Sequence, residues 1–146
     1  MKYKVRAATI IDVIDAAYKL RKADLDEMMA LGFTNPIQAL AQSLDVSEIS
    51  LVDTIDGRVG CFFGVLPDGC VWCVTTEEYI ENHKKRFMQL SHEVIDSWQE
   101  SYETLWNHVY CENKVHIRWI KHMGFVLQEP KPYGLKDKLF MKFTRN

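Results

Sequence analysis

His116 and His122 lie with Lys114, Arg118, Lys121 and Trp119 inside ENKVHIRWIKHMGF, residues 112–125. Two imidazoles suggest a metal site, and the cations beside a tryptophan suggest phosphate. Spacing decides against the metal. A helical ligand pair needs positions i and i+4 on one face, whereas at about 100° per residue His116 and His122 point in different directions. On the same wheel Val115, Ile117, Trp119, Ile120 and Met123 form one apolar arc with His116 inside it, and Lys114, Arg118, Lys121 and His122 take the opposite side. The basic residues therefore read as a solvated face. His116 reads either as a core histidine with one backbone partner or as a residue lining a pocket.

Cys70 and Cys73 spell C-x-x-C, but in GCVWCVTT they fall in an apolar, β-branched run. Residues three apart on a strand face opposite sides, so the pair is not expected to hold a metal. With Cys61 and Cys111 they are the only cysteines, too few and too irregular for a disulfide framework, and all four read as thiols. A chain of 146 residues, 47% apolar and 12% aromatic, suits one domain over residues 1–146 with a real core. A net charge of −2 and a pI near 6.2 argue against a surface built for phosphate, so nucleic acid is not the expected partner. No apolar run reaches the ~20 residues of a membrane span, and MKYKVRAATI lacks the core of a signal peptide; the expected location is the cytosol.

The elements that position these residues follow from cap, turn and periodicity signals. YKVRAAT alternates as a first strand, and Thr9 with Asp12 forms a capping-box pair. The spacing of Ile10, Val13, Ile14, Ala17, Tyr18 and Leu20 or Arg21 predicts one helix that Gly32 ends. Asn35-Pro36 starts a second, with Ile37, Leu40, Ala41 and Leu44 as its stripe. Asp56-Gly57 and Pro67-Asp68-Gly69 divide residues 49–76 into a three-stranded antiparallel meander. From Asn82, Phe87, Leu90, Val94, Ile95, Trp98 and Tyr102 mark a long amphipathic helix. TLWNHVYC is then a strand, residues 113–123 a short helix, and FVLQEP and KLFMKFTRN two strands around the KPYGLKD turn. This order implies a mixed central sheet covered by helices on both faces.

At this point the chain resembles a known superfamily. Asn113, followed at the expected distance by Gly124-Phe125, is similar to the last motif of the GNAT acyl-CoA-dependent N-acyltransferases, and the element order is also theirs. The resemblance implies an α/β fold with a mostly antiparallel sheet. YETLWNHVYCENKVHIRWIKHMGFVLQEP further resembles the internal virion (core) protein family of T-seven-type podophages. That implies a phage protein of the infected bacterium's cytoplasm, connected with virion morphogenesis and with phage or host protein partners.

The superfamily resemblance also implies a site. Acetyl-CoA would lie in the splay between the fourth and fifth strands, pinned by main-chain groups of Trp72, Cys73 and Val74 and by Asn113, with its pyrophosphate near Lys84, Lys85 and Arg86. Two departures bear on this. The stretch TTEEYIENHKKRF has no glycine where the family has a glycine-rich phosphate loop, and Ile120 stands where the family has its tyrosine acid. His116, in the place of a small residue lining the channel, either supplies the acid or blocks the channel. His108, Tyr110 and Cys111 lie at the strand end beside it, and Asp24, Asp26 and Glu27 are candidate bases, so His116, Tyr110 and Glu27 form the expected catalytic set. The resulting expectations are an acetyl-CoA-dependent N-acetyltransferase or a catalytically silent GNAT scaffold that binds phage or host proteins.

Overall fold

In the computed structural model, which describes residues 1–146, β1 (Tyr3–Ala7) leads into α1 (Ile10–Ala16) through Thr9. The Asp12 carboxylate accepts the Thr9 N–H at 2.8 Å and the Thr9 hydroxyl accepts the Asp12 N–H, a complete capping box. Asp12 also takes both arms of Arg6 at 2.7 Å, which ties the helix to β1.

The helix expected over residues 10–31 is broken. A 3₁₀ turn (Ala17–Lys19) ends in an extended Leu20, and α2 (Lys22–Leu31) begins afresh. The cause is tertiary: Leu20 bridges Thr76, and the Arg21 N–H donates to the Thr75 carbonyl at 3.0 Å. The break also divides the expected stripe. Val13, Ala17 and Leu20 are buried, whereas Ile10, Ile14 and Tyr18 are exposed.

α3 (Pro36–Val46) starts at Asn35 as expected, and β2 (Ile49–Ile55), β3 (Arg58–Val65) and β4 (Val71–Thr75) form the meander. The polar stretch after β4 forms a helix of its own, α4 (Glu77–Asn82), capped by Thr76, before α5 (Lys84–Ser101). β5 (Leu105–Tyr110), α6 (Lys114–His122), β6 (Val126–Leu127), β7 (Lys131–Tyr133) and β8 (Lys138–Arg145) complete the chain, with β7 an addition to the expected closing pair. Gly124, at φ 86°, ends α6 in the left-handed region, and the Phe125 N–H turns back to Ile120. The same turn drives Phe125 into the core edge-on to Phe143. No helix is long and apolar enough to cross a membrane.

Strands run β1-β2-β3-β4 and β5-β8-β6, antiparallel throughout, with β7 on β8. The two groups meet where β4 and β5 lie parallel: Cys70 bridges Trp106, and the Trp106 N–H donates to Gly69 O at 3.1 Å. Helices cover both faces. Val52 and Phe62 pack with Val13, Leu20 and Leu40 on one side, while Phe63, Val65 and Cys73 pack with Phe87, Trp98 and Trp119 on the other. This is the α/β sandwich expected from the element order.

Candidate functional site

The pleat of β4 decides which main-chain groups face β5. Trp72 pairs with Gly64 and Val74 with Phe62, and the Cys70 carbonyl accepts from Leu66, so residues 70, 72 and 74 spend their main-chain groups on β3. Val71, Cys73 and Thr75 turn theirs toward β5. This corrects the expectation for Trp72 and Val74, whose main-chain groups are already in the ladder; only Cys73 presents an N–H and a C=O that no protein group meets.

At the vertex of the splay the Asn107 amide donates to the Val71 carbonyl at 2.7 Å. At the open end α2 fills the gap. Thr75 N–H donates to Asp24 Oδ2 at 3.1 Å while Thr75 O accepts from Arg21, and on the other strand Tyr110 N–H donates to Glu27 Oε1 at 2.9 Å. Arg21 Nε lies 3.0 Å from Asp24, and Asn113 Nδ2 is 3.4 Å from both Asp24 and Glu27. Positions 21, 24 and 27 recur every three residues, so one face of α2 delivers all three side chains.

Asn113 is buried with both ends of its amide engaged, because its Oδ1 also accepts the His116 N–H as the cap of α6. It is a structural joint between α2 and α6 instead of the expected cofactor ligand.

Burial sets the charge states. Desolvation raises the Glu27 carboxyl to about 8, with the nearby Asp24 adding to the rise, so Glu27 is largely protonated at neutral pH. Desolvation also raises Asp24, against the pull of Arg21. His116, stacked on Trp119 at 5.1 Å, is lowered to about 3 by burial and by Arg21. Its ring is neutral at physiological pH, and a neutral imidazole is a poor acid toward a departing thiolate. Tyr110, also expected in the catalytic set, leans on Phe140 and bonds Glu112 through its hydroxyl. It faces a separate recess with Lys22, Asp26 and Lys136, and only its main-chain N–H reaches Glu27.

Two cavities flank the filled end. An apolar cleft of about 580 Å³ is lined by Glu27, Trp72, Cys73, Val74, His108 and His116 among others. A groove of about 420 Å³ between α4, α5 and α6 is lined by Arg21, Lys84, Phe87, Arg118 and Trp119. The Arg21–Asp24–Glu27–Asn113 group joins their walls. Of the expected phosphate ligands, Lys84 and Lys85 are exposed, and Lys84 edges the groove. Arg86 instead grips the fully buried Asp53 with two bonds of 2.9 and 2.8 Å, and Tyr79 donates to the same carboxylate at 2.8 Å. Its charge is spent inside the fold. No three His, Cys, Asp or Glu side chains converge as metal ligands.

The model of a family described as "Bacteriophage T7, probable scaffold protein Gp13" matches residues 53–130. The chain belongs to this family. It is 30% identical over 124 residues to the probable scaffold protein gp13 of Escherichia phage T7, covering 83% of this chain and 82% of that protein. Among solved structures it is similar to a GNAT-family acetyltransferase from Streptococcus pneumoniae, with TM-score 0.63, 16% identity and coverage of 99% and 98% of the two chains. It is also similar to spermidine N-acetyltransferase from Vibrio cholerae, solved with CoA and spermine, with TM-score 0.68, 13% identity and coverage of 98% and 94%. The fold is that of the GNAT acetyltransferases.

Two outcomes test this description. Arg86→Ala strands a buried carboxylate and should lower unfolding free energy by about 2–3 kcal/mol, below the ~3–5 typical of a broken buried pair because Arg86 is 24% exposed and Tyr79 remains. Lys85→Ala should stay within about 0.5 kcal/mol, both read by urea denaturation. For Glu27, the raised folded pKa means its contribution is fully present below the unfolded value near 4.5 and is lost as pH rises to about 8. The stability of wild type minus that of Glu27→Gln should therefore fall between pH 5 and 8, by at most about 1.4 kcal/mol per unit; a flat difference would remove the protonated Glu27 carboxyl from the account.

Proposed function

We propose that the chain is a GNAT-fold protein without acyl-transfer chemistry that serves in phage particle assembly, through contacts with other phage proteins made in the infected bacterium. The observation that carries the reading is the filled splay. The path a CoA amide chain would take along β4 is occupied at Thr75 by Asp24 and Arg21, and the facing strand is occupied at Tyr110 by Glu27. Entry of a ligand there would have to displace a buried ion pair and leave main-chain groups without partners, each costing about 1–3 kcal/mol. A neutral His116, an inward-facing Arg86 and a phosphate stretch wound into α4 support the same reading. The name of the phage T7 relative, a probable scaffold protein, agrees with an assembly role.

The competing reading is N-acetyl transfer from acetyl-CoA. Two features favour it: the open N–H and C=O of Cys73, which would suit a pantetheine amide, and Glu27, which is placed in the apolar cleft with a pKa near 8. On that reading Lys84 and Lys85 would hold the diphosphate, an acceptor amine would attack the thioester, and Glu27 would exchange a proton with the reacting groups.

Thermal or chemical denaturation with CoA and acetyl-CoA separates the two. A ligand at ~100 times its dissociation constant adds about 2.7 kcal/mol of stability. We expect no stabilisation at millimolar concentration. A shift of that size, abolished by Lys84→Ala with Lys85→Ala, would overturn the proposal in favour of a working cofactor site.

A further inference from the structure

Helix α1 is apolar on both sides. Val13 and Ala16, with Ala17 and Leu20 from the following turn, are buried. The outer side nevertheless carries Ile10, Ile11 and Ile14, with Tyr18 just beyond, at 53%, 66%, 61% and 67% exposure. A surface helix normally turns polar residues outward, and a helix apolar all round is normally covered. Ile10 and Ile14 form one row of α1 at spacing four and Ile11 and Asp15 the adjacent one; Tyr18 and Lys19 follow in the 3₁₀ turn, and Asp15 and Lys19 line the same cleft. The exposed apolar area is on the order of 400 Å², the size at which a patch on a monomer marks an interaction surface.

We infer that a second copy of this chain covers this face, the two α1 helices crossing antiparallel about a two-fold axis. The rim of the patch chooses the occupant. A two-fold interface meets its own image and must be self-complementary. Asp15 and Lys19, both exposed, stand four residues apart on one flank, so antiparallel crossing sets Asp15 of each copy against Lys19 of the other while Ile14 packs on Tyr18. The cleft of about 570 Å³ beside that flank continues the pattern, with Arg58 and Glu78 paired at 2.9 Å and Glu77 next to them. A strongly acidic or strongly basic partner would call for a rim of one sign, and this rim carries both. With a net charge of only −2, two copies repel one another little. The patch supplies about half of the ~800 Å² that each partner buries in a standard interface, so the association should be reversible and concentration-dependent.

Sedimentation velocity over roughly 5 to 500 µM tests the inference. Wild type should move from monomer to dimer across that range, and Ile14→Asp should remain monomeric, with a thermal midpoint equal to that of wild type at the low end of the range where both are monomers, since the side chain is exposed in the single chain. Asp15→Lys should weaken dimerisation at least about tenfold, and adding Lys19→Asp in the same chain should restore it by re-forming the pairs in reverse. Wild type that stays monomeric throughout, or a double exchange that fails to restore association, would overturn the second-copy assignment.

Discussion

The structure depends on how two parallel strands that part company satisfy their main chains. β4 and β5 touch around Gly69, Cys70 and Trp106 and then diverge, so β4 has no ladder partner on that side from Val71 onward. Buried main-chain groups cannot be left unpaired cheaply. Asn107 answers for Val71, and Arg21, Asp24 and Glu27 answer for Thr75 and Tyr110. The Cys73 groups remain open, so the wedge is filled from both ends and vacant in between.

This filling explains features that otherwise look unrelated. The first helix breaks because Leu20 and Arg21 must run extended beside the end of β4 before α2 can present Asp24. Asn113 is held by the same carboxylates at one end and caps α6 at the other. Burial raises the pKa of Glu27, with Asp24 adding to the rise and Arg21 opposing it, while burial together with Arg21 lowers that of His116. The elements on which GNAT chemistry would rely are thus fastened to one another. That arrangement suits the proposed role of a rigid body that presents a surface, the outer face of α1 being the apolar one.

Much of the fold was legible because its signals are local. Thr9, Asn35, Asp56-Gly57 and Gly124 act within a few residues of themselves, and each produced the expected cap or turn. The stripe of α5 was equally plain, with Phe87, Leu90, Val94, Ile95 and Trp98 all buried. The helix break was hidden, since helical spacing continues through residues 10–21 and only a partner some 55 positions away, at Thr75 and Thr76, interrupts it. The same blindness put Ile10, Ile14 and Tyr18 in the core. In the site, Glu27 and His116 do line one cleft and Lys84 edges the opposite groove, but Arg86 was misjudged because Asp53 looks like an ordinary strand residue. Arg21 was overlooked as a site residue, although its spacing from Asp24 and Glu27 on one helical face was there to be noticed.

The central claim is that α2, and not a ligand, satisfies the splayed strands. Amide hydrogen exchange at Thr75, measured by NMR with and without CoA, tests it most directly. The account predicts slow exchange in the free protein, no change in rate or chemical shift on adding CoA, and marked acceleration in Asp24→Ala. Fast exchange of Thr75 in the free protein, or a Thr75 resonance that moves as CoA is added, would contradict it.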